Sequence, residues 1–138
     1  MNMQAAFDKH NELRALHGAP PLQWSKSCRA DAELAANHCQ SKGYCQHSNH
    51  DEQGQNLYGP SRSSGMALAG TQNWYDEKKD FDFANGQFGM DTGHFTQLVW
   101  KSTTHVGIAR SSNGQFLAAN YFPSGNVEGD FRNNVGQH

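Results

Sequence analysis

The dipeptide Asn113-Gly114 divides two short runs with strand character. Before it, Val106 and Ile108 alternate with polar or small residues. After it, Gln115 to Phe122 reads as a return strand. Asn-Gly between such runs is a strong signal for a type I′ turn, which needs positive φ at both central residues. The C-terminal third therefore reads as a hairpin, ended by Pro123-Ser124-Gly125-Asn126.

Upstream, the pattern changes to helical spacing. Met3, Phe7, His10, Leu13 and Leu16 share one helical stripe, and His17-Gly18-Ala19-Pro20-Pro21 stops it. Ser25 is a good N-cap for a second helix, whose stripe of Cys28, Ala32, Ala35 and Cys39 suits close packing on a sheet. Residues 43 to 63 read as irregular, with a short strand around Asn56-Leu57-Tyr58. A third helix runs from about Ser64 through Met66, Gly70, Trp74 and Glu77. A loop bearing Phe81, Phe83 and Phe88 follows, then a short helix from Asp91-Thr92 containing His94, Leu98 and Trp100. Helices early and strands late imply an α+β chain, a helix–sheet–helix sandwich around an antiparallel sheet.

The 138 residues suit a single domain over 1–138 with its own core. A net charge of −2 offers no field for nucleic acid, which is set aside as a partner. The opening Met1-Asn2-Met3-Gln4 carries no signal-peptide pattern, and no run is long enough to span a bilayer. Of three cysteines, Cys39 and Cys45 are close enough in sequence to close a small disulfide loop, as in an oxidising compartment. The odd count leaves three reduced thiols as an equal alternative. Their spacing fits no Cys-based zinc motif.

His10 reads as a satisfied, partly buried helix residue, and His17, His105 and His138 as solvated residues at element ends. His47 and His94 lie in segments dense with polar groups, and Glu77 ends the third helix. Two neutral imidazoles and a carboxylate would suit zinc. There is no His-Glu-x-x-His, no Gly-x-Ser-x-Gly and no phosphate-cradling loop. Tyr75, Phe81, Phe83 and Phe88 could line a lipid site or serve as core anchors of a long loop.

Four segments together resemble the CAP superfamily of cysteine-rich secretory, antigen 5 and pathogenesis-related 1 proteins. Gly93-His94-Phe95-Thr96-Gln97-Leu98-Val99-Trp100 is similar to the family's first signature at every position. The stretch Phe116 to Val127 is similar to the second. His10-Asn11-Glu12-Leu13-Arg14 matches His-Asn-x-x-Arg, and Gly54-Gln55-Asn56-Leu57-Tyr58 is similar to a Gly-Glu-Asn-Leu segment. The order is the family's, and the matches span nearly the whole chain. Few cysteines, Ala119 in place of a usual Cys and the Tyr-Phe-Pro-Ser-Gly-Asn-Val ending place the resemblance nearest the Golgi-associated plant pathogenesis-related branch.

The resemblance implies an α-β-α sandwich and a central cleft lined by two histidines and two acids. His47 and His94 match the histidines and Glu77 one acid. Gln55 stands where the second acid is expected, and an amide cannot carry charge or act as a base. The resemblance further implies a binding protein for lipid or sterol, or for protein partners, outside the cell. An intracellular, membrane-associated domain is the alternative. A homodimer and attachment to acidic membranes follow from the branch, although the net negative charge argues against strong attachment. Weak zinc binding through His47 and His94 is expected. The competing function is a metal-dependent or serine hydrolase built on His47, Glu77 and His94, with Ser61 or Ser63 nearby. The missing acid favours the binding protein over an enzyme.

Overall fold

The computed structural model describes residues 3–48 and 52–138; the opening Met1-Asn2 lies outside them. In chain order the elements are helix α1 (Met3–Leu16), strand β1 (Gln23–Trp24), helix α2 (Lys26–Lys42) and strand β2 (Gly54–Tyr58). Helix α3 (Met66–Asp76), a 3-10 turn (Glu77–Asp80) and helix α4 (Gly93–Leu98) follow. Strands β3 (His105–Arg110) and β4 (Leu117–Phe122) precede helix α5 (Phe131–Asn134).

The sheet order is β1-β3-β4-β2. Three strands are antiparallel, as the sequence implied. The two-residue β1 differs: it lies parallel to β3, pairing Gln23 with His105 and Trp24 with Val106. The hairpin joins β3 to β4, but its turn is not type I′. The Gly114 N–H donates to the Ser111 carbonyl at 2.9 Å, and only Gly114, not Asn113, has positive φ (74°). Asn113 works through its side chain instead. Its Oδ1 accepts from Ser111 Oγ (2.7 Å) and from the Gln115 N–H (3.0 Å), which favours a longer connection.

Helix α2 covers one face of the sheet. Ser25 caps it, its Oγ accepting from the Cys28 N–H, and Gly43 ends it in the left-handed region (φ 82°). Ala32, Ala35, Ala36 and Cys39 pack on Leu57, Ala109, Phe116 and Ala118. The approach is so close that a Cβ at Gly107 would overlap the backbone of Arg29. Helices α1, α3 and α4 cover the other face, where Trp74, Phe95 and Leu98 pack on Val106, Ile108, Leu117 and Tyr121. Two helical layers around one sheet give the α-β-α sandwich that the early-helix, late-strand pattern implied.

Arg14 ties these layers together. Its guanidinium is buried and donates to four carbonyls: Pro20 (2.9 Å), Leu98 (3.1 Å), Trp100 (2.8 Å) and Thr103 (3.1 Å). Burial lowers its pKa to about 10, so it stays charged at neutral pH. His17 departs from the sequence reading, being buried rather than solvated. It bridges Nδ1 to the Gly136 carbonyl (2.8 Å) and Nε2 to the Tyr75 hydroxyl (2.9 Å), so the C-terminal segment folds back over it.

Candidate functional site

Gln55 and Asn56 are neighbours on β2, and strand alternation sends them to opposite faces. Each meets one of the candidate histidines. On the α2 face, His47 Nδ1 donates to Gln55 Oε1 at 3.0 Å, and the Ser48 N–H donates to the same oxygen at 3.1 Å. On the other face, Asn56 Nδ2 donates to the backbone carbonyl of His94 at 3.0 Å. The structure thus brings His47 to Gln55 and His94 to Glu77.

Glu77 sits where α3 passes into the 3-10 turn. Its Oε1 accepts from the backbone N–H groups of His94 (2.9 Å) and Phe95 (3.1 Å), and its Oε2 accepts from His94 Nδ1 (2.7 Å). The N-cap residue of α4, Thr92, makes no side-chain cap, so the carboxylate does that work from another element. His94 is further held by stacking on Trp74, with ring centroids 6.3 Å apart. A carboxylate on Nδ1 leaves the lone pair of a neutral imidazole on Nε2.

Beneath this pair lies a buried polar chain. Asn56 Nδ2 also donates to the Tyr121 hydroxyl (3.2 Å), Tyr121 donates to His10 Nε2 (2.7 Å), and His10 Nδ1 donates to the Ala6 carbonyl (2.8 Å). A carbonyl can only accept, so it fixes the direction of the chain. Burial pulls the pKa of His10 from 6.5 down to about 4, keeping it neutral at physiological pH.

The hydrolase reading lacks a nucleophile here. Ser61 Oγ accepts from the Ser63 N–H, and Ser63 Oγ from the Gly65 N–H, so both act as turn residues. Ser48 Oγ accepts from Gln55 Nε2 at 3.1 Å. No described hydrogen bond joins a serine hydroxyl to His47 or His94. Neither Glu77 nor position 55 adds a free carboxylate to a zinc ion held by His47 and His94. Glu77 is engaged by three N–H donors, and position 55 carries an amide. Among the described residues no three His, Cys, Asp or Glu side chains gather into a group able to hold a metal.

The cysteines are free thiols, the reduced alternative, and Cys39 and Cys45 are not bridged. Cys39 Sγ exchanges contacts with the backbone of Gln46, and Cys45 Sγ donates to the Gly59 carbonyl at 3.4 Å. Burial first, and the neighbouring Cys39 second, push the Cys45 thiol up to about 11.

The loop aromatics divide into two sets. Phe81, Phe83 and Tyr75 gather around Phe95, with centroids 5.8 to 6.1 Å from it, as the core-anchor alternative requires. Phe88 instead remains half exposed, 6.3 Å from Phe131. Beside it, residues including Asn85, Gly86, Glu128, Phe131 and Arg132 line a hollow of ≈ 430 Å³.

The family profile described as the cysteine-rich secretory protein family, CAP, matches residues 7–122. The chain belongs to this family. The CAP domain is 38% identical to human Golgi-associated plant pathogenesis-related protein 1 over 135 residues, covering 91% of this chain and 86% of the relative. It is 34% identical to Protein PRY2 of Saccharomyces cerevisiae over 93% of this chain, but spans only 39% of that longer protein. The fold matches Schistosoma mansoni venom allergen-like protein 4 with a TM-score of 0.69 at 21% identity, covering 98% of this chain and 94% of that one. No described helix of the CAP domain is long and apolar enough to cross a membrane.

Sequence analysis missed Asp31, Gln53 and Asn120 as partners of the site. Gln53 Nε2 donates to Asp31 Oδ2, and Asn120 Nδ2 to Gln53 Oε1. One signal was present: Gln53, just before β2, and Gln55 on it stand two apart, and Gln55 faces Asn120 in the register.

Proposed function

We propose that this CAP domain is a binding module, taking a lipid or sterol on the loop surface that precedes α4. The supporting observation is an apolar edge left in water. Phe88, Met90 and Val127 are 46%, 92% and 46% exposed, and the hollow that Phe131 helps to line also takes in Gln87 and Glu128, the chain neighbours of Phe88 and Val127. The loop is anchored from below. Phe81 is buried, and the Asp82 carboxylate accepts from the Ala84 and Asn85 N–H groups, so the tip is held out at small entropic cost. Arg132 lines the hollow, donates to the Ala84 carbonyl and brings a cation to a lipid's polar end.

A protein partner, a second copy of the chain included, would use the same face. We place the domain outside the cell, in keeping with the secretory family. Similarity to a Golgi-associated relative supports the alternative of a membrane-associated domain inside. A net charge of −2 favours only weak attachment to acidic membranes. Any ion held by His47 and His94 is expected to leave in mild acid as the imidazoles take up protons.

The test is saturable binding of a sterol and of a fatty acid to purified wild type and Phe88→Ser. The substitution should weaken binding about tenfold by removing most of one buried phenyl contact, with the unfolding temperature unchanged. Binding indifferent to Phe88, or absent from the wild type, would exclude this surface. Substituting Phe81 or Phe83 would confuse loss of site with loss of core.

A further inference from the structure

Position 55 carries an amide where the family pattern has an acid, and the surrounding hydrogen bonds give the reason. Gln53 Nε2 donates to Asp31 Oδ2 (3.0 Å), Asn120 Nδ2 to Gln53 Oε1 (2.8 Å), and Gln55 Nε2 to Asn120 Oδ1 (3.1 Å). At the far end Gln55 Oε1 accepts from His47 Nδ1 and from the Ser48 N–H.

The direction of this row is forced from both ends. An ionised carboxylate only accepts, so Asp31 orients Gln53, Gln53 orients Asn120, and Asn120 turns its oxygen toward position 55. The Ser48 N–H only donates, so residue 55 must turn an oxygen toward it. Residue 55 therefore has to donate at one end and accept at the other, which an amide does and a carboxylate does not. A carboxylate would set oxygen against oxygen beside Asn120, which is only 1% exposed. Reversing Asn120 and Gln53 would only move that clash to Asp31.

We infer that Asp31, on α2, is the positioning residue that selects an amide at position 55. Through that amide it keeps the His47 end of the site uncharged and holds the imidazole as its Nδ1–H tautomer. The lone pair then sits on Nε2, an acceptor suited to a hydroxyl or N–H donor of a neutral ligand. This holds whether or not the Phe88 surface binds lipid, because it is tested without a ligand.

The experiment is a thermal unfolding cycle of wild type, Asp31→Asn, Gln55→Glu and the double variant. Gln55→Glu alone should lower the unfolding temperature by roughly 5 °C. With asparagine at position 31 the row can reverse and the new side chain can donate, so the same change should lower it by less than half as much. Equal losses in the two backgrounds would overturn the inference. If Gln55→Glu alone does not fold, a folded double variant supports the inference and an unfolded one overturns it. A second readout is independent of stability: the ring nitrogen shifts of neutral His47 in the wild type. Protonation at Nδ1 is expected, and a ring protonated mainly at Nε2 would contradict the assigned direction.

Discussion

On one side of β2, Asn56 joins a network buried among Tyr121, His10 and the backbone of α4. On the other side, one residue earlier, Gln55 joins a row of amides that ends at His47 on the surface. The first network holds its histidine with a carboxylate that also caps a helix; the second holds its histidine with a neutral amide. The difference separates two tasks that a list of site residues would merge. Glu77 and His94 are part of what builds α4 into the sandwich, whereas His47 can change at little cost to the fold.

The largest expected break in that comparison is Glu77→Ala. It removes the acceptor of two backbone N–H groups and of the His94 ring, and should lower stability by about 3 kcal/mol in denaturant unfolding. A loss near zero would show that α4 does not depend on this carboxylate.

Acid should act on the same network with comparable size. His10 is neutral and buried, with its pKa at about 4 against 6.5 in an unfolded chain. The unfolded chain binds the extra proton first, so stability is full above about pH 6.5 and falls as the pH drops toward 4. The total loss from this group is on the order of 3 kcal/mol. Unfolding free energies from pH 7.5 to 4 measure it, and His10→Gln should flatten that part of the profile. An unchanged slope in the variant would assign the acid sensitivity to other groups.

Asn56→Ala comes next, at about 2 kcal/mol, because it strips donors from the His94 carbonyl and the Tyr121 hydroxyl inside the core. The smallest effect belongs to the opposite side. His47→Ala should change stability by less than about 0.5 kcal/mol, since its ring is exposed and makes one hydrogen bond among the described residues. A large loss there would erase the contrast between the two sides.

Much of this architecture was legible in the sequence for local reasons. Ser25 capped α2 as expected, and the small stripe Cys28, Ala32, Ala35 and Cys39 announced a helix lying close on a sheet. His10 and Arg14 could be placed on α1, but not the carbonyls and hydroxyl they reach, because those partners lie 84 or more residues away except for Ala6 and Pro20. The type I′ turn was misread because Asn113 satisfies the backbone through its side chain rather than through positive φ. His17 was misread because nothing local shows the C-terminal segment returning to cover it. At the site, spacing offered Glu77, His47 and His94 as one set of ligands. The hydrogen bonds join His94 to Glu77 and His47 to Gln55, partners that spacing alone does not pair.

The most direct measurement of the proposed function is lipid or sterol binding by two double variants compared side by side. Phe88→Ser with Met90→Ser alters the exposed loop edge; His47→Ala with Gln55→Ala alters the surface pair without touching the α4 cap. A binding module working through the loop edge should lose its saturable binding in the first variant and keep it within about twofold in the second, a difference of less than about 0.5 kcal/mol. The opposite pattern, with binding kept by the loop variant and lost by the His47 variant, would contradict it.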